Sequence, residues 1–97
     1  MTVRLLPEAA RDIEAAAVWY ENAQDGLGSA FRDEVLVALR RIGDGPARYR
    51  IAFGDYRRMI LGRFPYVVYF RETSDAVLIY AVYHQSCDPK TLKKQLG

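Results

Sequence analysis

The sequence has few residues suited to holding a metal ion or forming a disulfide bond. It contains one cysteine, Cys87, and one histidine, His84, which excludes an intrachain disulfide and the Cys/His sets of zinc sites. It also lacks glycine-rich phosphate loops and the sequence motifs of common hydrolases. We therefore predict no metal and no cofactor, and we interpret Cys87 as an incidental thiol.

Long apolar runs are missing as well. No stretch approaches the roughly 18 residues of a membrane span. The first ten residues, MTVRLLPEAA, include an acid and lack the apolar centre of a signal peptide, so we expect a cytoplasmic protein without a membrane partner. The chain has 97 residues and no repeat, low-complexity tract or linker, and we predict a single domain over residues 1–97 with one modest core.

Acidic and basic residues are unevenly distributed along the chain. Residues 1–46 contain five basic and eight acidic residues, whereas residues 47–97 contain nine basic and four acidic ones. A cationic second half favours an anionic partner, either nucleic acid or an acidic peptide. The alternative is a solvated surface on which the charges happen to segregate.

The first half predicts a short strand followed by two helices. Residues 2–6 alternate between polar and apolar, as in a strand. Residues 7–22 begin with a proline and repeat apolar positions every three or four residues, which predicts an amphipathic helix. A second such helix is predicted over residues 27–42, before a Gly-Asp-Gly-Pro stop. The short connecting loop makes these two helices an antiparallel hairpin.

The position of Trp19 bears on partner binding. It lies off the centre of the apolar stripe of the first helix, and we expect it to be buried at the margin of the core. An exposed indole would instead offer a contact to a partner.

The second half predicts a β-meander. Residues 56–61, 66–70 and 77–84 are rich in Val, Ile, Tyr and Phe, and the gaps between them have hairpin length. Since neither helix can bury its stripe alone, we predict an α+β fold: an N-terminal strand and a helical hairpin packed on a mainly antiparallel, four-stranded sheet, in the order β-α-α-β-β-β. The sequence leaves open where the first strand joins the sheet. Residues 47–55 are predicted to form either a loop or an edge strand. The basic tail is predicted to form one or two helical turns.

The candidate chemistry lies where the last predicted strand ends. Metal-independent RNA cleavage needs a base, an acid and cations that stabilise charge on the phosphorus centre. A histidine can serve as base or acid near neutral pH, and arginines fork onto phosphate oxygens. The residue types therefore permit an RNase that uses His84, Tyr83 and Arg71. The alternative for His84 is a purely structural hydrogen bond.

Four segments together resemble the RelE/ParE superfamily of type II toxin–antitoxin toxins: LLPEAARDIEAAAVWYE, GLGSAFRDEVLVALRRI, YRRMILGRFPYVVYFRE and VYHQSCDP. The closing HQSCD is more similar to the ParE, plasmid-stabilisation branch than to the RelE branch. The resemblance implies a growth-inhibiting cytoplasmic toxin in a hetero-oligomer with a cognate antitoxin, ParD-like or similar. ParE-like members poison DNA gyrase, whereas RelE-like members cleave mRNA on the ribosome.

The sequence departs from the nuclease pattern at several positions. Nuclease members commonly place an arginine where this chain has Tyr66, and RelE-like members favour basic residues where it has Gln85 and Ser86. Because a site short of its acid or base loses orders of magnitude in rate, we favour a non-enzymatic gyrase poison. A ribosome-dependent, metal-independent endoribonuclease is the alternative, and a non-toxic antitoxin-binding remnant is a third interpretation.

Two sets of binding residues follow from this interpretation. Basic residues of the sheet half and the tail are predicted to contact the target: Arg57, Arg58, Arg63, Lys90, Lys93 and Lys94. Residues of the first helix and of the connector before the sheet are predicted to contact the antitoxin: Ala16, Trp19, Tyr20, Arg48 and Arg50. We expect the antitoxin to contribute a mostly disordered, acidic segment that folds on binding as an amphipathic helix or an added strand.

Overall fold

The computed structural model describes residues 1–96, which form an α+β fold as predicted. The elements follow in this order: β1 (Thr2–Leu5), α1 (Pro7–Ala23), α2 (Leu27–Asp44), a short 3₁₀ turn (Pro46–Arg48), β2 (Arg50–Phe53), β3 (Tyr56–Ile60), β4 (Tyr66–Glu72), β5 (Ala76–His84) and α3 (Pro89–Leu96). The last predicted residue of the tail, Gly97, lies outside the described residues.

The sheet has the strand order β1-β5-β4-β3-β2. β1 runs parallel to β5, from the pair Thr2/Ala76 to the pair Leu5/Ile79, and the other neighbours are antiparallel. This places the first strand at one edge of the sheet, a position the sequence had left open.

The predicted count of four strands was wrong, because part of the connector pairs with β3. Arg50 lies opposite Arg58 and Ile51 opposite Arg57. Gly54 turns the chain between the two strands with a positive φ of 52°, a conformation that glycine adopts without strain. A four-residue strand with two exposed members at its start is too short to show the alternation by which strands are recognised.

A tight loop joins α1 to α2. The Glu21 carboxylate accepts hydrogen bonds from the backbone N–H groups of Gly26 and Gly28, both at 3.0 Å. These are donors at the start of α2 that have no partner within the helix. A Cβ at Gly28 would lie 2.6 Å from the carbonyl oxygen of Ala17, so the hairpin depends on glycine at this close approach.

The helical hairpin covers one face of the sheet. The largest fully buried side chains come from both layers: Phe31, Ile42, Val68, Phe70, Val77, Ile79 and Val82. Tyr20 and Phe31 meet Phe64 with ring centroids 4.8 and 5.2 Å apart in edge-to-face geometry. Such aromatic contacts add to the burial of area and fix α1 and α2 against the loop between β3 and β4.

The C-terminal helix α3 packs on the opposite face. Leu92 is buried with Val67, Tyr69 and Ala81, and the Tyr56 hydroxyl donates a hydrogen bond to the carbonyl oxygen of Leu96 at 2.6 Å. The basic tail therefore forms two turns of a docked helix, and the sheet is covered on both faces.

The predicted burial of Trp19 was wrong, since 66% of this residue is exposed. The core stripe of α1 runs through Ala9, Ile13, Ala16 and Ala17, and the indole projects to one side of it. Its ring meets Tyr20 edge to face at 5.2 Å. Because the indole projects from α1 beside the buried stripe and not within it, most of the indole stays in solvent.

Candidate functional site

His84 ends β5 and is tied into the turn that follows. Its Nδ1 accepts the backbone N–H of Ser86 at 3.0 Å and lies 2.8 Å from the Ser86 hydroxyl. The carbonyl of His84 accepts the backbone N–H of Cys87 at 2.9 Å, and its ring packs edge to face on Tyr66. Because Nδ1 accepts an N–H, the ring carries its proton on Nε2 in this arrangement.

The three residues proposed for RNA cleavage do not all come together, because Arg71 lies apart from the other two. Arg71 pairs with Leu78, six residues along β5 from His84, which corresponds to about 20 Å of extended strand. Its guanidinium lies 4.0 Å from the Asp55 carboxylate. Tyr83 turns to the α3 face, where burial raises the pKa of its phenol. Arg71 is therefore out of reach of His84, whereas Tyr83, its neighbour in sequence, borders the same depression.

A cationic cleft opens where β2 begins, beside the end of β3. Arg48, Arg50 and Arg58 line it together with Tyr49, Met59 and Ile60, and its volume is about 400 Å³. The Arg48 guanidinium donates to the carbonyl of Arg41 at 3.2 Å. This cationic cleft unites residues that we had assigned to two different partners, since Arg58 was predicted for the target and Arg48 and Arg50 for the antitoxin.

The other predicted target residues lie elsewhere. Arg57 points to the helical side of the sheet and donates to the carbonyls of Ala47 and Tyr49, at 3.3 and 2.6 Å, so it anchors the connector. Arg63 lies in the loop between β3 and β4, over the ring of Phe64. The three lysines are exposed on α3: Lys90, Lys93 and Lys94.

A second depression, the α1–β5 groove, lies at the end of the sheet near His84. It measures about 290 Å³ and is lined by Asp12, Ala15, Ala16, Trp19, Tyr66, Val82, Tyr83 and His84. Two residues predicted for the antitoxin, Ala16 and Trp19, thus share a site with the histidine. Tyr20 lies beside them in the aromatic cluster of the core.

The comparisons with known proteins identify the family. The model of the ParE toxin of type II toxin–antitoxin systems, parDE, matches residues 3–89. The chain belongs to this family. A solved chain described as the chromosomal ParDE toxin–antitoxin system from P. aeruginosa is 17% identical, with a TM-score of 0.73 over 87% of this chain and 95% of that chain. That identity shows a shared fold alone. A search of curated protein sequences gives no match.

In this ParE-family toxin, the sequence patterns had missed Asp12. Its carboxylate accepts the backbone N–H of Val82 at 3.0 Å, joining α1 to β5. Burial raises the pKa of this carboxyl, although the hydrogen bond from Val82 and the nearby Arg11 act against the rise. The sequence did carry one signal for this role: Asp12 lies at the margin of an otherwise apolar stripe of α1. A carboxylate in that position needs a hydrogen-bond donor.

Residues 1–96 of this ParE-family toxin contain neither a metal-binding cluster nor a membrane-spanning helix. Within that range no three His, Cys, Asp or Glu side chains lie close enough to hold a metal ion. None of the described helices is both long and apolar enough to cross a bilayer.

Proposed function

We propose that this ParE-family toxin poisons DNA gyrase in the cytoplasm and is neutralised by direct binding of a cognate antitoxin, ParD-like or similar. Membership of the family supports a toxin, and the structural neighbour comes from a toxin–antitoxin system. A gyrase target is the expectation from the resemblance to the ParE branch, and the geometry of the site adds two arguments for it.

The separation of His84 from Arg71 is the main observation that argues against a nuclease. A general acid–base mechanism needs both groups within hydrogen-bond reach of the same scissile phosphate. Residues at opposite ends of a strand pair, about 20 Å apart, cannot meet that requirement. The histidine is instead engaged in the turn that closes β5.

The cationic cleft supplies the second argument. Guanidinium groups bind phosphate oxygens through paired hydrogen bonds, and three of them line one open depression. Gyrase acts on DNA, so a protein that binds the gyrase–DNA complex meets phosphates as well as protein. The cleft suits binding to such a complex without any chemical step by the toxin.

One experiment separates the candidate targets. The protein is expressed without its antitoxin, and chromosomal DNA and bulk mRNA are examined together. A gyrase poison produces double-strand breaks and an SOS response while mRNA stays intact. Codon-placed mRNA cuts with intact DNA would overturn the proposal in favour of a ribosome-dependent nuclease, and harmless expression would favour a non-toxic antitoxin-binding remnant.

A further inference from the structure

The edge of β5 is open beyond the end of β1. β1 pairs with β5 only from Ala76 to Ile79, whereas β5 continues to His84. The backbone N–H of Leu6 donates to the carbonyl of Ile79 at 3.1 Å, and the chain then leaves the sheet at Pro7 to begin α1. Within residues 1–96, no strand pairs with residues 80–84 on this side.

The backbone groups that face this edge follow from the ladder on the other side. In an antiparallel pair every second residue bonds to the neighbouring strand. The N–H of Gln85 donates to the carbonyl of Pro65 at 2.8 Å, so Tyr83 and Ala81 also bond toward β4, and Val82 turns its backbone groups to the open edge. The hydrogen bond from the Val82 N–H to Asp12 on α1 is independent support for this orientation.

Depressions lie on both faces of the open edge. The α1–β5 groove flanks it on the helical side. Another depression, also of about 290 Å³, flanks the open edge on the α3 side. It is lined by Leu6, Glu8, Tyr80, Tyr83, Gln95 and Leu96. A strand added to an edge projects alternate side chains to opposite faces. One extended segment would therefore fill both depressions while its backbone bonds to β5.

The charges around the edge limit the chemistry of that segment. Glu8 and Asp12 stand on α1 beside the two depressions, and the exposed indole of Trp19 adds apolar surface. An acidic stretch would be repelled here and suits the cationic cleft instead. The open edge suits an extended segment with apolar residues at alternate positions and a basic residue that reaches the carboxylates.

We propose that residues 80–84 of β5 receive an extended segment of the antitoxin as an added strand, and that a carbonyl of this segment replaces the Asp12 carboxylate as the acceptor of the Val82 N–H. The proposal rests on the proposed neutralisation by an antitoxin and specifies where that antitoxin binds. In the free toxin, Asp12 satisfies a backbone donor at the open edge and so limits unwanted strand pairing there.

The experiment uses the full-length toxin and the product of the adjacent gene, purified separately. The groove-filling substitution Ala15→Arg is compared with Val18→Arg, which adds the same side chain at an exposed position of α1 outside the groove. We expect Ala15→Arg to weaken binding about a hundredfold or more, since the added side chain fills the groove and blocks several contacts at once, and Val18→Arg to change binding less than about threefold. NMR of the unsubstituted complex should show cross-strand contacts between the Val82 and His84 amides and the antitoxin backbone.

The possible outcomes distinguish failure of this binding site from failure of the proposed neutralisation by an antitoxin. A tight complex that lacks cross-strand contacts at residues 80–84 would overturn the strand addition and leave the antitoxin bound elsewhere. Cross-strand contacts that appear without antitoxin, at rising toxin concentration, would show that a second copy occupies the edge. Absence of any complex would overturn the neutralisation itself and this proposal with it. If Ala15→Arg does not fold, the NMR contacts of the unsubstituted protein decide.

Discussion

Asp12 and Val82 are joined by a hydrogen bond that links α1 to β5 across 70 residues of sequence. The donor is a backbone N–H that a neighbouring strand would otherwise take, and the acceptor is a carboxylate whose pKa is raised chiefly by burial. The bond therefore holds a partly desolvated charge at the open edge of the sheet, and its contribution should depend on pH.

We expect Asp12→Asn to show that dependence. Because the folded chain binds the Asp12 proton more tightly than the unfolded chain, this residue's contribution to the free energy of unfolding falls as pH rises from 3.8 through the raised pKa. Asparagine keeps an acceptor for Val82 but carries no charge. Relative to the parent, the variant should gain stability between pH 3.5 and pH 7, as checked by urea unfolding at both values. A constant difference would show that burial of the charge is not the controlling factor.

Trp19→Ala should separate stability from binding. Since the indole is 66% exposed, we expect the free energy of unfolding to fall by less than about 1 kcal/mol. Truncation of the buried Phe31 should cost about 3–5 kcal/mol, which makes Phe31→Ala the reference for a core position. Antitoxin binding should weaken in the Trp19 variant, because an aromatic side chain at a groove supplies contact area. Thermal unfolding and calorimetric titration measure the two effects, and a large loss of stability would contradict the exposed placement.

The outcome at Trp19 illustrates what sequence patterns can predict in this fold. The helices Pro7–Ala23 and Leu27–Asp44 lie within two residues of the predicted bounds, because apolar periodicity and the flanking Pro and Gly signals are local properties. Whether a residue beside the stripe is buried depends on how closely the sheet approaches, which periodicity does not contain. The role of Asp12 likewise depends on tertiary structure, because its hydrogen-bond donor, the backbone N–H of Val82, lies on β5.

The strand pairings show the same contrast between local features, which the sequence predicts, and long-range contacts, which it does not. The three strands of the meander were predictable from composition and gap length. The pairing of β1 with β5 joins residues more than seventy positions apart, and the sequence carries no register signal for it. Within the proposed set of His84, Tyr83 and Arg71, only Arg71 lies apart. The predicted antiparallel meander already implied this separation, because the ends of two successive antiparallel strands lie at opposite ends of the sheet.

Gly28→Ala should destabilise the helical hairpin. The added Cβ would lie 2.6 Å from the Ala17 carbonyl oxygen, and a backbone atom cannot move aside as a flexible side chain can. We expect a loss of about 1–3 kcal/mol in the free energy of unfolding, as for other overpacked sites. Gly62→Ala is the matched control, because its nearest neighbour would be 3.8 Å away. Equal effects of the two substitutions in chemical denaturation would show that close approach at Gly28 is not limiting.

Arg58→Glu should reduce action on the target. The substitution reverses a charge in the cationic cleft and adds repulsion from phosphate, so the toxin concentration that half-inhibits DNA religation by gyrase should rise about tenfold or more. Arg40→Glu makes the same change on the exposed surface of α2, away from the cleft, and should change that concentration less than about threefold. Equal losses from both variants would point to net charge rather than to the cleft.

His84→Ala tests the remaining route to catalysis. If His84 acts as acid or base, its removal should lower mRNA cleavage by about a hundredfold or more. If it only closes the turn after β5 through Ser86, the loss should be about 1 kcal/mol of stability, and toxicity in the absence of antitoxin should survive in a folded protein. We expect the second result, because Arg71 lies about 20 Å of extended strand away from His84 and cannot act on the same phosphate. Codon-specific mRNA cleavage that disappears in the variant would contradict this expectation and assign the toxin's action to RNA.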